Sequence, residues 1–379
     1  MIYLDNSATT RPFDEVIHAV NACMSTDYFN PASAYAPAVE VERKLESHRA
    51  QFAQAMGVRA NEIVFTSGAT EGNNTAIFST LSANRQKGRL ITTSVEHPSV
   101  HEAFLHMQKQ GYDVVFADVD LSGSVNMDQF ADLLTPDTLF VSMMHVNNET
   151  GAINDIDRAA QFIRARAPQA VFHVDGVQAF CKLPFTKLPC DLYSISGHKF
   201  HAPKGVGALY VKNGLKYTGF IGGGQERGLR SGTSNTPGII GMGTALAMYR
   251  SHQTAFISSM RTCKLRLAEN ILRIPDTFIN GPAPDAGVPH ILNASFVGVR
   301  GEVLLHTLAQ KGMIVSTGSA CSSHKKGKNR ILCAMGITGE RQEGAIRFSF
   351  SPMNTAAEMD QTAQAIQEAL VLLRKFKRR

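Results

Sequence analysis

Short runs of β-branched and apolar residues alternate with stretches of helical length over roughly the first 250 residues. This alternation constrains the fold more than any other feature of the chain. The runs lie at Glu62–Thr66, Arg89–Thr93, Val114–Val119, Leu139–Met143, Ala170–Val174, Leu192–Ser196 and Val206–Val211. Helical stretches between such runs, for example Ile156–Arg166, are typical of strand–helix–strand units with parallel strands. The pattern therefore predicts an α/β domain around a largely parallel sheet.

The pattern changes after about residue 250. A long helical stretch, Thr254–Leu272, is followed by a segment rich in proline and glycine between Pro275 and Pro289. Shorter runs and a last helical stretch come next, at Asn293–Val297, Met313–Ser316, Ala345–Phe350 and Thr355–Lys375. This order predicts a smaller α+β domain. A chain of 379 residues, 44% of them hydrophobic, has enough material for two domains.

Composition excludes several classes of protein. With 18% charged residues the chain is not a disordered tail. No apolar run approaches the roughly 20 residues that span a bilayer, and the first residues do not read as a secretion signal. The six cysteines include no Cys-x-x-Cys pair, so neither a disulfide framework nor a zinc site is expected. We therefore expect a cytoplasmic protein with reduced thiols and no membrane contact.

Small polar or ionisable residues follow five of the predicted strands. They occupy positions 67–74, 94–98, 144–149, 175–178 and 197–199. In open α/β sheets, ligands bind beyond the carboxyl ends of the strands. One such group is ordinary loop polarity, but five together predict a binding site at this edge of the sheet.

Three of these groups carry specific chemistry, and each also has an ordinary explanation. The turn at 67–70 suits a phosphate, because free backbone N–H groups and a helix dipole attract anions, but it also fits a plain capped turn. Asp175 ends an apolar strand, either as a helix cap or as the buried partner of a positive group. Lys199 follows another strand, where burial lowers the pKa of a lysine and favours a nucleophile. Most lysines are solvated, and Lys204 competes for this role.

His97 follows a strand directly and fits an acid or base, or a ring that covers another ring. Together with His101, Glu102 and His106 it resembles a metal cluster, but the metalloprotease motif needs a histidine where Leu105 stands. No metal is therefore expected. The glycine-rich fingerprints of mononucleotide and dinucleotide sites are also missing.

A phosphate-binding turn, a strand-end aspartate and a strand-end lysine are the parts that pyridoxal 5'-phosphate requires. The lysine holds the aldehyde covalently, and the aspartate keeps the pyridine nitrogen protonated so that the ring withdraws electrons. A histidine can cover the face of the ring. The sequence therefore predicts this cofactor.

With those residues assembled, the sequence resembles the cysteine desulfurases of the NifS/IscS type, within the fold-type I pyridoxal-phosphate enzymes of the class V aminotransferase family. The resemblance runs nearly from end to end, and it depends on the order and spacing of many short motifs. They lie at 3–10, 30–33, 65–71, 96–97, 145–149, 173–175, 196–199, 203–205, 222–226, 230–233 and 319–321.

The resemblance implies a fold-type I transferase with two domains. A large, mostly parallel seven-stranded sheet domain would occupy residues 15–250. A smaller α+β domain, made of residues 1–14 and 251–379, would carry the catalytic cysteine loop. Members of the family are homodimers with shared sites, so a homodimer is implied here.

The resemblance also implies roles for single residues. Lys199 would hold the cofactor and move the α-proton, Asp175 would pair with the pyridine nitrogen, and His97 would stack on the ring and transfer protons. Arg347 and Asn148 would bind the substrate, the guanidinium gripping its carboxylate. The implied cofactor-binding set is Ala69, Thr70, His97, Asn148, Asp175, Gln178, Ser196, His198, Lys199 and, contributed by the partner subunit, Thr233.

Cys321 is the residue that separates sulfur transfer from simple transamination. The resemblance implies that its thiolate attacks the sulfur of L-cysteine, leaving a persulfide on Cys321 and releasing L-alanine. Small residues surround it and basic residues follow it, which favours the thiolate. The alternative enzyme is a selenocysteine lyase or another pyridoxal-phosphate lyase or aminotransferase. An inactive scaffold for a sulfur acceptor is the alternative of another class.

The net charge of +6 is concentrated in two places, the residues that follow Cys321 and the segment 374–379. A solvated helix end is the ordinary explanation of this basic loop and tail. The alternative is docking of an acidic sulfur acceptor, either an iron–sulfur scaffold or a tRNA-thiolation enzyme. Direct nucleic-acid binding is not expected, because basic residues alone do not make an RNA-binding fold.

Overall fold

The computed structural model describes residues 1–84, 86–184, 187–318 and 329–377. The strands are β1 (Ile2–Tyr3), β2 (Ile63–Thr66), β3 (Arg89–Thr93), β4 (Asp113–Ala117), β5 (Thr138–Met144), β6 (Val171–Asp175), β7 (Leu192–Ser196), β8 (Gly207–Val211), β9 (Thr277–Ile279), β10 (Ile291–Phe296), β11 (Met313–Ile314) and β12 (Ala345–Ser349). The helices are α1 (Asp14–Thr26), α2 (Ala36–Met56), α3 (Ala69–Ser82), α4 (Pro98–Lys109), α5 (Met127–Leu133), α6 (Ile156–Arg166), α7 (Thr236–Leu272), α8 (Gly301–Gln310), α9 (Arg330–Ala334), α10 (Gly339–Glu343) and α11 (Ala356–Leu373).

The central sheet has seven strands in the order β2-β8-β7-β6-β5-β3-β4. Strands β3 to β7 pair in parallel, and β8 is antiparallel to both of its neighbours. Strand β2 therefore runs in the same direction as β7. The predicted α/β domain around a mostly parallel sheet is confirmed, and each predicted strand of this part of the chain lies within two residues of an observed one.

Both faces of the sheet are covered, because successive side chains of a strand point to opposite sides. In β2, Ile63 and Phe65 pack into one apolar cluster with residues of α1, α2, α6 and α7. Val64, between them, packs into another cluster with residues of α3 and α4. Full burial of such side chains contributes roughly 1.5 to 3 kcal/mol each, which explains why continuous apolar runs mark these strands.

The C-terminal part of the chain builds two small sheets, one in the order β12-β10-β9 and one that pairs β1 with β11 in parallel. The three-stranded sheet is antiparallel and packs against α8, α11 and the second half of α7 through a further apolar cluster. The predicted shorter strands and last helix of this region are observed.

Helix α7 begins earlier than the predicted stretch Thr254–Leu272. The side chain of Asn235 accepts a hydrogen bond from the backbone N–H of Gly238 and so caps it at Thr236. The glycines of its first half allow close contact with neighbouring helices, since a β-carbon on Gly243 would lie 2.0 Å from His48 Nδ1. These glycines weaken the helical pattern in the sequence.

Two apolar clusters meet along α7. Tyr249 belongs to the cluster beneath the central sheet, and Met260 to the cluster of the C-terminal part. The division of the chain at residue 250 stays a prediction. Over the part of the chain that the structure describes, no helix is both long and apolar enough to cross a membrane.

Candidate active site

The carboxyl ends of β2, β3, β5, β6 and β7 lie at one edge of the central sheet, because these strands run in the same direction. Each is followed by one of the polar groups that the sequence analysis singled out. The predicted convergence of these groups is therefore observed.

The N-terminus of α3 forms the first part of the site. Gly68 caps the helix with a φ of 151°, a conformation that favours glycine, and the first bond within the helix joins Gly72 N to Gly68 O at 3.0 Å. The N–H groups of the first helical turn have no acceptor within the helix, so they suit an anion. Ala69 is buried and Thr70 is exposed in this turn. Ser196 Oγ lies beside Gly68: a β-carbon added to Gly68 would be 3.6 Å from this oxygen.

Asp175 ends β6 and is only 5% exposed. Its Oδ1 accepts from the backbone N–H of Val177 at 3.1 Å, and its Oδ2 accepts from Asn73 Nδ2 at 2.8 Å. Asn73 lies on the inner face of α3 and is fully buried. The carboxylate is thus held from two directions by neutral donors.

His97 is the N-cap of α4, with Pro98 in the first helical position. Its Nδ1 accepts from the backbone N–H of Ser99 at 3.2 Å and lies 2.8 Å from Ser99 Oγ. Burial lowers the pKa of His97, as do the charges of Lys199 and Arg330, whereas Asp175 raises it. Burial therefore favours the neutral form of a ring that interacts with the charges of Asp175 and Lys199.

Lys199 lies in a short 3-10 turn, Gly197–Lys199, that continues β7. Its Nζ donates to the carbonyl oxygens of Ser7 and Ala8 at 2.6 and 2.8 Å. The N-terminal segment of the chain therefore holds the amino group at the sheet edge. Lys204 is exposed, so the structure separates the two lysines that competed in the sequence.

A second lysine lies directly beneath this turn. Lys182 is 3% exposed, and its Nζ donates to the carbonyl oxygen of Lys199 at 2.7 Å. Burial is the main cause that lowers the pKa of Lys182 to about 7; Cys181 opposes the shift, and the charge of Lys199 contributes to it. The same environment lowers the pKa of His198 to about 4, chiefly through burial and then through Lys199. His198 Nδ1 lies 3.1 Å from Thr9 Oγ1.

Gln178 and Asn148 also reach the site. Gln178 Nε2 donates to the carbonyl oxygen of Ser7 at 3.0 Å, and its Oε1 lies 3.1 Å from Nε2 of the buried His290. The side-chain oxygen of Asn148 and the hydroxyl of Ser7 are buried, and within the described ranges neither has a hydrogen-bond partner. Buried polar atoms of this kind fit a polar ligand.

Arg347 lies in β12 and is 4% exposed. One of its terminal nitrogens donates to Asp5 Oδ1 at 2.7 Å and the other to the carbonyl oxygen of Asn148 at 3.0 Å. The guanidinium is thus fixed between the N-terminal segment and the loop after β5. A planar fork held in this way suits a carboxylate. In the turn that follows this strand, Ser351 N donates to Asn354 Oδ1 at 2.9 Å.

Glu96 precedes His97 and is completely buried. Its Oε1 accepts from Thr93 Oγ1 at 2.7 Å and from the backbone N–H of Met144 at 2.8 Å. Burial raises its pKa to about 8, although these hydrogen bonds oppose the rise. The side chain is therefore protonated at neutral pH.

We expect the ionisation of Glu96 to destabilise the folded chain as the pH rises from about 5 to about 8. The unfolded chain releases this proton near the ordinary pKa of 4.5, whereas the folded chain keeps it until about pH 8. Folding therefore takes up a proton in this window, and the free energy of unfolding falls by up to about 5 kcal/mol. Glu96→Gln should lose less stability across the window, as measured by melting temperatures at pH 5 and pH 8. Exposed Glu102→Gln is the control, and equal pH dependence in all three proteins would contradict the expectation.

Two predicted site residues are not assembled in this way. Thr233 is exposed, in the segment that precedes α7. Cys321 lies outside the described residues, as do the basic residues 324–328. Arg330 follows those basic residues in the sequence and points inward: it is half-buried and donates to the carbonyl oxygens of Ser94 and Glu96.

Sequence reasoning gave no role to several residues that the structure places at the site. They are Asp5, Ser7, Asn73, Ser99 and Lys182. Asp5, Ser7 and Asn73 stand within or beside motifs that the sequence analysis quoted, so their position was a usable signal. Nothing in the sequence distinguishes Lys182 from a surface lysine.

Comparison with known proteins agrees with this geometry. The family model described as aminotransferase class-V matches residues 2–362. The cysteine desulfurase of Trichormus azollae is 38% identical over 378 residues, which are 99% of this chain and 94% of the relative. The cysteine desulfurase IscS of Methanosarcina thermophila is 38% identical over 377 residues, covering 98% and 93%. A solved structure of a NifS-like protein, 34% identical, has a TM-score of 0.91 and covers 98% of this chain and 100% of its own. The chain therefore belongs to the aminotransferase class-V family, among its cysteine desulfurases of the NifS/IscS type.

Proposed function

We propose that this protein is a pyridoxal-phosphate-dependent cysteine desulfurase, which takes sulfur from L-cysteine, releases L-alanine and carries the sulfur as a persulfide on Cys321. The observation that carries the proposal is the convergence of the α3 N-terminus, Asp175, His97 and Lys199 at one sheet edge. The family membership of the whole chain supports it.

The residues at the sheet edge fit pyridoxal 5'-phosphate. The free N–H groups of Ala69 and Thr70, with Ser196 and His198, supply donors for a phosphate. Asp175 supplies a buried carboxylate for a protonated ring nitrogen, and Lys199 an amino group for the aldehyde. Gln178 and Asn148 supply polar contacts, and His97 supplies a ring. When bound, the cofactor withdraws electrons from the substrate amino acid and so makes its α-proton acidic.

The side chains of the protein divide the remaining work. Asp175 is fixed by Asn73 and Val177, so its charge stays in place while electrons shift. Lys199 moves the α-proton at its Nζ, which the carbonyl oxygens of Ser7 and Ala8 hold at the sheet edge. Arg347, beside Asn148, grips the substrate carboxylate and sets the orientation of the β-carbon.

The sulfur step belongs to Cys321. Its thiolate attacks the sulfur of the substrate, so that a sulfur–sulfur bond forms as the carbon–sulfur bond breaks. The electron pair of the broken bond stays on the β-carbon, which takes up a proton and becomes the methyl group of alanine. A second thiol, on an acceptor, then removes the outer sulfur.

The direct test is incubation of the cofactor-loaded protein with L-cysteine while alanine and protein persulfide are followed. We expect both products in equal amounts in the first turnover. Absence of both, with cofactor bound, would contradict the proposal and favour an inactive scaffold. Turnover of selenocysteine but not of cysteine would favour a selenocysteine lyase.

The protein is further proposed to act as a cytoplasmic homodimer that hands sulfur to an acceptor protein of iron–sulfur assembly or tRNA thiolation. Thr233 would then reach the phosphate of the partner subunit, and its exposure in the single chain supports this. The segment before it is anchored by two ion pairs, Arg49 to Glu226 at 2.7 Å and Arg230 to Glu71 at 3.0 Å. The described cysteines are free, in keeping with a reducing compartment.

Arg347→Lys is expected to raise the KM for L-cysteine about 10- to 100-fold with a smaller effect on kcat. Lysine keeps the charge but loses the planar fork, and a hydrogen bond to a charged group is worth about 1.5 to 3 kcal/mol. Steady-state alanine formation measures the change. Arg266→Lys, in an exposed ion pair with Asp360, is the matched control. An unchanged KM in Arg347→Lys would remove Arg347 from the substrate site.

A further inference from the structure

We propose that Ser99 is a positioning residue that holds His97 as a neutral ring with its proton on Nε2, through a chain of hydrogen bonds that begins at Asp175. The inference deepens the proposed function, on which it rests, by assigning the protonation of a residue in the same site.

The chain begins with the direction of the Asn73 amide. Asp175 receives donors at both of its oxygens, from Val177 N–H and from Asn73, so the amide nitrogen of Asn73 must face the carboxylate. The same nitrogen lies 2.9 Å from Ser99 Oγ. Its two hydrogens therefore go to Asp175 and to Ser99.

The direction of the Ser99 hydroxyl follows. Because Ser99 Oγ accepts from Asn73, its own hydrogen is available for His97 Nδ1, 2.8 Å away. The backbone N–H of Ser99 donates to the same nitrogen at 3.2 Å. Two donors aimed at Nδ1 leave it without a proton, so the neutral ring carries its proton on Nε2.

The charges around His97 act in the same direction. Lys199 on the turn after β7 and Arg330 on α9 disfavour a charged ring, as does burial, and only Asp175 on β6 favours one. A neutral ring with Nε2–H presents a hydrogen-bond donor to the site and is not a base at that nitrogen. The proton transfers that need a base are then left to Lys199.

The α4 N-terminus explains how the sequence builds this arrangement. His97 precedes Pro98, whose ring fixes the backbone, and Ser99 follows with the first N–H group of the helix available. The histidine ring thus takes the place of a capping side chain. Its tautomer follows from the two Ser99 donors at Nδ1, and Asn73 on α3 directs the hydroxyl that is one of them.

The test is nuclear magnetic resonance of the cofactor-loaded protein labelled with ¹⁵N-histidine. Long-range proton–nitrogen correlations identify the tautomer of each ring, and His97 is assigned by its loss in His97→Asn. The native protein and Ser99→Thr, which keeps the hydroxyl, should show Nε2–H at His97. Ser99→Ala should show a mixture of tautomers, and the midpoint of its titration should move upward by roughly half a pH unit or more.

A matched control is available in the same loop. The Ser94 hydroxyl is buried and, over the described residues, has no hydrogen-bond partner, so Ser94→Ala should leave the His97 signals unchanged. In Ser99→Ala, the acidic limb of the plot of kcat against pH should move to higher pH together with the titration midpoint of His97. The KM for cysteine should stay constant. The inference would be overturned if Ser99→Ala kept the native tautomer and titration midpoint of His97. It would also be overturned if Ser99→Thr, which keeps the hydroxyl, lost them. Because the spectra need no turnover, absence of cysteine desulfuration would overturn the proposed function alone.

Discussion

Lys199→Ala is expected to lower the rate of alanine formation from L-cysteine at least about 1000-fold. The substitution removes both the group that holds the cofactor aldehyde and the group that moves the α-proton. Lys182 cannot replace it, because its Nζ is buried against the carbonyl oxygen of Lys199. The measurement is steady-state alanine formation, with cofactor content followed by absorbance.

Lys204→Ala is the matched control for this variant. Lys204 lies five positions further along the chain and is exposed, so its removal should leave the rate within about twofold of the native value. Loss of Lys199 also removes two hydrogen bonds to the N-terminal segment, so melting temperatures should accompany the rates. Native-like turnover by Lys199→Ala, or its loss in Lys204→Ala, would show that the wrong lysine has been assigned.

Cys321→Ala is expected to abolish persulfide formation and sulfide release while cofactor binding is retained. The thiolate is the nucleophile of the sulfur step, and without it the carbon–sulfur bond has no acceptor for its sulfur. Four of the described cysteines are unsuited to this role. Cys23, Cys181, Cys190 and Cys263 are buried, and burial raises the pKa of each thiol. Persulfide is measured by mass spectrometry after one turnover with L-cysteine.

Cys333→Ala provides the control for Cys321. Cys333 is half-buried, and Gln342 Nε2 donates to its sulfur at 2.9 Å. Its removal should cost stability but not persulfide formation. Sulfide release at the native rate by Cys321→Ala would exclude the persulfide mechanism and leave another pyridoxal-phosphate reaction as the function.

Much of the fold was predictable because its signals are local. Strands β3 and β7 begin and end where the apolar runs do, and α6 matches the predicted helix, since burial on both faces of the sheet demands continuous apolar residues. The start of α7 was not predictable in the same way. The glycines in its first half weaken the helical pattern in the sequence. The structure gives the reason for Gly243, since a β-carbon there would collide with His48 on α2.

The site was predictable where chemistry needs a particular side chain. Asp175, Lys199 and His97 follow strands, and few other residue types can pair with a ring nitrogen, bind an aldehyde or stack on a ring. The supporting contacts were not predictable, because they depend on register and on backbone atoms. Carbonyl oxygens of Ser7 and Ala8 hold Lys199, and any residue type supplies a carbonyl. In the sequence Arg330 follows a run of basic residues. In the folded chain it donates to two backbone carbonyl oxygens, a contact that only the tertiary structure shows.

The N-terminal segment that holds Lys199 has a consequence for the time at which the site can form during synthesis. Asn6 and Ser7 are tied to Ser349, across sequence separations of 343 and 342 residues, and β1 pairs in parallel with β11. The strands of the central sheet can assemble from the middle of the chain, but the acceptors of Lys199 are not in place until β12 has been made. This segment is translated long before β12 and is therefore among the last to dock, so a ribosome-bound chain that stops before Ser349 should lack a complete cofactor site.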